Sequence, residues 1–200
     1  MSVAHRVRQA VEGLDRGSFL RTQELPGSRS AVDSALSRLA AEGELIRAHK
    51  GLYYRPPLRG RRRPPPLEIG LAMGGRGAGP AGVSAARMFG LTTQVPGVET
   101  VAVPGRAPAR RAQVRFVSRS FSRREQDLNR YEVGLLEVLR DFERISEEPF
   151  DRLVSVVQRA VEDGRIRPAR VRNAVDEEWD VATRQRWTRL EPHITRSVAE

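Results

Sequence analysis

The run Arg55-Pro56-Pro57-Leu58-Arg59-Gly60-Arg61-Arg62-Arg63-Pro64-Pro65-Pro66 is the strongest constraint on this chain. Proline locks φ and has no amide proton, so neither a helix nor a sheet ladder can run through it, and its like-charged arginines favour an extended connector. The expected division is therefore residues 1–62, with the connector at their end, and residues 63–200. Two hundred residues allow two modest domains. With 39% hydrophobic and 6% aromatic residues, their cores are expected to be thin and aliphatic. The absence of cysteine excludes disulfides, zinc ribbons, thiol nucleophiles and Fe–S ligation together. No stretch approaches the roughly 18 to 20 apolar residues of a membrane span, and residues 1–10 have no apolar core like that of a signal peptide. A soluble, cytoplasmic protein with no membrane partner is the expectation.

The net charge of +10 and a pI near 11.3 point to a polyanion, because Lys and Arg that neutralise phosphates release condensed counterions. A bias of the coding sequence toward arginine, with Lys50 the lone lysine, would inflate the same number without any ligand. The distribution says more. Residues 1–60 carry ten basic and six acidic residues, 61–120 ten and two, and 121–200 fifteen and seventeen. All of the excess lies in the first 120 residues.

Before the connector, Val3, Val7, Ala10, Val11 and Leu14 recur at helical spacing until Gly17. Thr22-Gln23-Glu24-Leu25 fits a single helical turn, broken by Pro26-Gly27. A stronger helix starts at Ser28 or Ser30, where Ser30 and Asp33 have the spacing of a capping box. Ala31, Val32, Ala35, Leu36, Leu39 and Ala40 form its apolar face, and Gly43 ends it. Residues 45–48 and 52–55 then read as strands joined by His49-Lys50-Gly51, a hairpin with glycine at its positive-φ position. Helix, turn, helix and basic hairpin in this order predict a winged helix-turn-helix. In such a unit the second helix enters the major groove and the hairpin grips the backbone. The expected double-stranded DNA contacts are Arg29, Ser30, Ser34, Ser37 and Arg38 on the helix and Arg47, His49, Lys50 and Arg55 on the hairpin. The alternative is a winged helix used for protein contacts alone. Steep salt dependence and loss on charge reversal of Arg29 or Arg38 separate the two.

Ser37-Arg38-Leu39-Ala40-Ala41-Glu42-Gly43-Glu44-Leu45-Ile46-Arg47, closing with Lys50-Gly51-Leu52-Tyr53-Tyr54-Arg55-Pro56, resembles the winged-helix domain of AbiEi-type antitoxins. Ser84-Ala85-Ala86 followed by Phe89-Gly90-Leu91-Thr92-Thr93-Gln94-Val95-Pro96 resembles the start of that family's second domain. The two matches, in the family's order, cover roughly residues 17–145. The resemblance implies the antitoxin of a type IV toxin–antitoxin pair that counters a nucleotidyltransferase-like toxin. It also implies autorepression of the operon at repeated operator sites in its own promoter. Neutralisation in this family need not involve a stable toxin complex, and no antitoxic motif transfers residue by residue. The alternative to this reading is a winged-helix transcriptional regulator, or a protein-only partner-binding module, with no antitoxin role.

In the second domain, an apolar stretch at 67–73 and a small-residue helix at 84–90 precede two β-rich runs. Val98 to Val103 and Gln113 to Val117 are expected to pair as antiparallel strands across a basic turn at 104–111. Ser122 with Glu125 predicts the capped start of one helix through Phe142, burying Leu128, Tyr131, Leu135, Leu136, Val138 and Leu139. Further helices are expected at 150–162, 168–179 and 183–190. The class is α+β, helix-dominated: an N-terminal winged helix-turn-helix followed by a larger α+β domain.

No constellation for catalysis stands out. Gly77-x-Gly79-x-x-Gly82 has the letters of a dinucleotide fingerprint, but no strong strand precedes it and Pro80 sits inside it, which favours a plain loop. Ser84 lacks the closing glycine of a nucleophile elbow and reads as a helix cap or early helix residue. His5, His49 and His193 are scattered. Glu147-Glu148 and Asp176-Glu177-Glu178 with Asp180 read as solvated ion-pair faces in preference to a cation site. No cofactor, metal or enzymatic activity is expected. Trp179 and Trp187 are expected to fill the C-terminal core, with anchoring of a partner as the alternative for an exposed one.

Overall fold

In the first helix, α1 (Val3–Gly13), the Ser2 side chain accepts from the His5 amide and so satisfies one of the free N–H groups of the first turn. Its Val7 and Val11 are buried against Val32, Leu36 and Leu39 of α2 (Arg29–Ala41). This is a computed structural model, and it describes residues 1–59, 62–109 and 113–195. Ser28 is the N-cap residue of α2 and makes no side-chain cap bond, so the capping box expected from Ser30 and Asp33 does not form. Just before it, Gly27 has φ 136°, and a Cβ there would lie 2.9 Å from Val3 Cγ1, so only glycine lets the turn pass under α1.

The hairpin forms as β2 (Ile46–His49) and β3 (Leu52–Tyr54), with Gly51 at φ 72° in its turn. A strand absent from the sequence reading, β1 (Phe19–Arg21), pairs antiparallel with β3 and gives the sheet order β1-β3-β2. Phe19 stacks on Tyr54 at 5.1 Å, the cross-strand contact that makes so short a strand worthwhile. The 3-10 turn Thr22–Glu24 stands where a helical turn is expected, and Thr22 donates its amide to Gly51 O at 3.0 Å. Helix, strand, turn, helix and hairpin in this pairing make a winged helix.

The chain divides into two compact units, Met1–Ala72 and Met73–Glu200, where the sequence reading divides it at 62/63. The difference has a packing cause. Pro56 and Pro64 are buried, Arg63 Nη2 donates to Ala48 O at 3.3 Å, and the Arg21 guanidinium donates to Ala72 O. The connector and the first part of α3 (Pro66–Gly74) therefore belong to the N-terminal unit. Gly60 and Arg61 lie outside the described residues.

The second unit holds β4 (Gly79–Pro80), α4 (Val83–Met88), β5 (Glu99–Pro104) and β6 (Val114–Arg119), then α5 (Ser122–Glu125), α6 (Arg130–Ile145), α7 (Phe150–Glu162), α8 (Pro168–Glu177) and α9 (Val181–Thr195). The class is α+β and helix-dominated. In the sheet, β5 is central, and residues 100–104 are all buried, as a strand covered on both faces must be. Contrary to expectation, β5 and β6 pair in parallel, Glu99 opposite Val114 through Pro104 opposite Arg119. Residues 105–113 can span about 30 Å, more than the roughly 20 Å of a six-residue strand, so the chain can return to the start of β5. A tight antiparallel hairpin would need only about two to five residues there. Residues 110–112 of that connection lie outside the described residues.

The single helix expected from Ser122 is two. The short α5 ends at Glu125, Asp127 takes φ 54°, and Asn129 starts α6 by accepting from the Tyr131 and Glu132 amides, with Glu132 closing the capping box on Asn129 N at 2.9 Å. The break serves α6, whose residues 132–139 are all buried, two glutamates included. Glu132 accepts from Arg167 N, Nε and Nη2 at 3.0, 2.7 and 2.7 Å, which ties the start of α8 to α6. Glu137 accepts a bidentate pair from Arg119 of β6, both bonds 2.7 Å, and a third from Arg123 Nη1 at 2.7 Å. Arg123, itself 1% exposed, donates Nε to Glu178 at 2.8 Å. Its Nη2 also lies 2.6 Å from Glu178, an ionic contact whose angle gives no hydrogen bond. Arg140 completes the chain on Glu178 at 2.5 Å.

Trp187 is buried at 4% exposure and fills the core as expected, but Trp179 is 92% exposed, which overturns its assignment to the core. It stands in the link between α8 and α9, where Glu178 takes the inward position.

Burial alone would raise the Glu137 carboxyl, but hydrogen bonds and charge from Arg119 and Arg123 outweigh it and hold it below the ordinary value of 4.5. A depressed carboxyl stabilises the fold above its unfolded value. That contribution begins to fall below about pH 4.5 and is lost as pH drops through the lower folded value, so acid should progressively destabilise this unit. Glu137→Gln should cost about 3 kcal/mol at neutral pH by leaving two guanidinium groups short of charge, and should flatten the acid limb, both read by urea unfolding across pH.

Candidate nucleic-acid interface

On α2, about 100° per residue places Ser30, Ser34, Ser37 and Ala41 within about 60° of one another, opposite the buried Val32, Ala35, Leu36 and Leu39. All four outward residues are exposed. Arg29 and Arg38, also exposed, flank this stripe on either side. Small hydroxyl side chains allow the helix to approach a groove closely, and flanking arginines reach either base edges or phosphates. Arg38 also borders a shallow depression between α1 and α2 with Ala4, Arg8, Ala35, Leu39 and Glu42, where Arg8 pairs with Glu42 at 2.9 Å. Arg38 Nε makes a long 3.4 Å bond to Ser34 O, and among the described residues no carboxylate holds it.

The hairpin residues divide into two roles. Arg47 and Lys50 are exposed, on β2 and in the turn. His49 is half-buried, with Nδ1 3.0 Å from Lys50 O, so it shapes the turn. Arg55 is half-buried and its Nη1 donates to Glu12 O at 2.9 Å and to Leu14 O. Those carbonyls end α1, where a cation meets the negative end of the helix dipole, so Arg55 braces α1 and does not face outward as a phosphate contact would. Sequence spacing cannot separate Arg55 from Arg47, because the difference lies in the packing of β3 beside α1. The register shift at Ala48 in β2 is the third feature of the hairpin: Ala48 O accepts from Arg63, which brings the arginine-rich connector alongside it.

The other sequence candidates fall to structural roles. A Cβ on Gly77 would lie 2.8 Å from Arg123 O, and one on Gly79 2.5 Å from Val133 Cβ, so α5 and α6 already occupy the close approach that a pyrophosphate would need. Ser84, 2% exposed, donates to Glu99 Oε2 at 2.5 Å and accepts from the Thr100 amide at 2.9 Å, joining α4 to β5. Glu147 accepts from the Thr93 amide at 2.7 Å and from Gln94 Nε2 at 3.0 Å. These bonds hold its carboxyl below the ordinary range and tie the residues after α4 to the α6–α7 link. Among the described residues, no group of three His, Asp or Glu is placed to hold a metal ion. No described helix is long and apolar enough to cross a membrane.

No family model matches the chain, and no curated protein matches it. Among solved structures it is similar to the RV2827C protein of Mycobacterium tuberculosis, at 19% identity and a TM-score of 0.45, with 98% of this chain and 79% of that chain covered.

The two roles of the hairpin arginines are separable by stability. Arg55→Ala should lower unfolding stability by about 2 kcal/mol, the scale of hydrogen bonds from a charged donor. Arg47→Ala, at an exposed position, should change it by less than about 0.5 kcal/mol in the same denaturant titration.

Proposed function

We propose that this protein is a non-catalytic, cytoplasmic antitoxin of the AbiEi type that binds double-stranded DNA of its own promoter through the winged helix and counters a nucleotidyltransferase-like toxin. The observation that carries the DNA-binding reading is the exposed Ser30-Ser34-Ser37 stripe on α2, flanked by Arg29 and Arg38 and placed in one unit with the exposed Arg47 and Lys50 of the hairpin. Serines and arginines on the free face of the second helix supply hydrogen-bonding reach, and the hairpin cations supply phosphate attraction. The net charge of +10 supports the same partner. The antitoxin role rests on the sequence resemblance across residues 17–145.

Fluorescence anisotropy of the full chain on DNA from upstream of its own gene, against a shuffled duplex, tests the first part at low and physiological salt. At least tenfold discrimination, about 1.4 kcal/mol, is expected. Equal binding to both duplexes that vanishes with salt would leave only polyanion attraction. Arg38→Glu should weaken operator binding with an unchanged unfolding midpoint. Lys50→Ala should weaken all duplexes alike and lower the salt slope by about one. Co-expression with the product of the adjacent gene tests the second part: growth arrest by that product alone, relieved by this chain, is the expected result.

A further inference from the structure

From Leu45 to Leu67 the chain carries seven basic residues and no acidic one. Arg47 and Lys50 face outward on the hairpin and Arg55 braces α1; the others fall in the connector. Of these, Arg59, Arg62 and Arg63 are described and all three are exposed. No ion pair holds Arg59 or Arg62 among the described residues. The connector is not a free tether. Pro56 and Pro64 are buried near its two ends, and Arg16 Nη1 donates to Pro56 O at 3.1 Å. At the other end Arg63 Nη2 donates to Ala48 O at 3.3 Å, two residues before Lys50. Since β2 is an edge strand of its sheet, this bond seats the connector on the free side of the hairpin. Arg62, adjacent to Arg63 in the chain, is thereby brought to the same edge as Arg47 and Lys50.

We propose that Arg59 and Arg62, positioned by Arg63, form a second DNA contact: a basic strap in the minor groove beside the major-groove site of α2, selecting an A·T-rich flank in the operator. This rests on the promoter-binding reading and adds to it a second groove and a base preference. The minor groove, about 6 Å wide, excludes a helix but admits an extended chain. Prolines supply such a chain, because they fix φ and prevent helix formation. With α2 in the major groove and the hairpin on the adjoining backbone, the outer edge of the hairpin meets the next minor groove. Runs of A·T pairs narrow that groove and deepen its negative potential, which attracts arginine. The buried prolines order the strap before DNA arrives, so less conformational freedom is lost on binding.

The test uses the full chain on promoter duplexes, read by anisotropy and by hydroxyl-radical footprinting. The double variant Arg59→Ala with Arg62→Ala should keep the unfolding midpoint, since both positions are exposed. It should bind the promoter about tenfold more weakly, lower the salt slope by about two and lose protection of one flank. In that flank, G·C in place of A·T should weaken the parent chain about tenfold. Inosine·cytosine pairs, which lack the minor-groove amino group of G·C, should restore binding, and the double variant should treat all three flanks alike. An unchanged footprint and affinity for the double variant overturn the proposal. A loss equal on all three flanks overturns it in favour of phosphate attraction alone, and a failure of inosine·cytosine to restore binding overturns it in favour of major-groove contact. Tighter strap-dependent binding to single-stranded RNA of the same sequence overturns it in favour of RNA. A parent chain that does not distinguish promoter from shuffled DNA removes the promoter-binding reading as well; one that does, with an unchanged double variant, removes only the strap.

Discussion

Two glutamates buried in α6 organise the C-terminal unit. Glu132 and Glu137 are almost without exposure, so each must be matched by cations brought from elsewhere in the chain: Arg167 at the start of α8, Arg119 at the end of β6 and Arg123 in α5. Taking a carboxylate out of water costs several kcal/mol, and only well-aligned charged partners offset it. The pairing therefore admits one arrangement of β6, α5, α6 and α8 and penalises others, a source of specificity that an aliphatic core with few aromatics lacks. The parallel β5–β6 pair and the break before α6 follow from the same demand. Both place arginines at the ends of short elements, where a side chain can turn inward to a carboxylate.

The N-terminal unit is built on a different principle. Its core is a small apolar contact between α1, α2 and the sheet, and its ionic contacts are mostly solvent-exposed, such as Arg8 with Glu42. Exposed pairs of that kind contribute little to stability. Arginine here acts on backbone instead: Arg55 on the end of α1, Arg63 on the bulge of β2 and Arg16 on Pro56 O at 3.1 Å. Among the described residues left outward, Arg29, Arg38, Arg47, Lys50, Arg59 and Arg62 are a fraction of the charge that composition advertises. A basic pI therefore overstates the surface available to a polyanion, and the division of arginines between backbone and solvent is what defines the candidate interface.

Much of the winged helix was legible because its signals are local. Valine spacing marks α1, the Ala-Val-Ala-Leu-Leu stripe marks α2, and Gly51 marks the hairpin turn. The strand β1 was not legible, since three residues carry no periodicity and Phe19 declares itself only by stacking on Tyr54. The same holds for Trp179 and Trp187, identical in type and close in sequence, one in solvent and the other in the core. Their fates differ because Glu178 takes the inward place beside Trp179, drawn by arginines from α5 and α6. An acidic residue before a tryptophan reads as surface, and here it is the reverse.

The sequence by itself determined most of the helices, the hairpin, the charge of the chain, the absence of thiol chemistry and the serine and arginine face of α2, because each depends on spacing within one element or on composition. Only the tertiary structure decided strand direction, the place where the units divide, which arginines are buried and which tryptophan is free. Those depend on long-range contacts of guanidinium groups with carboxylates and with backbone carbonyls far apart in the chain, and no local pattern records which partner a buried group will find.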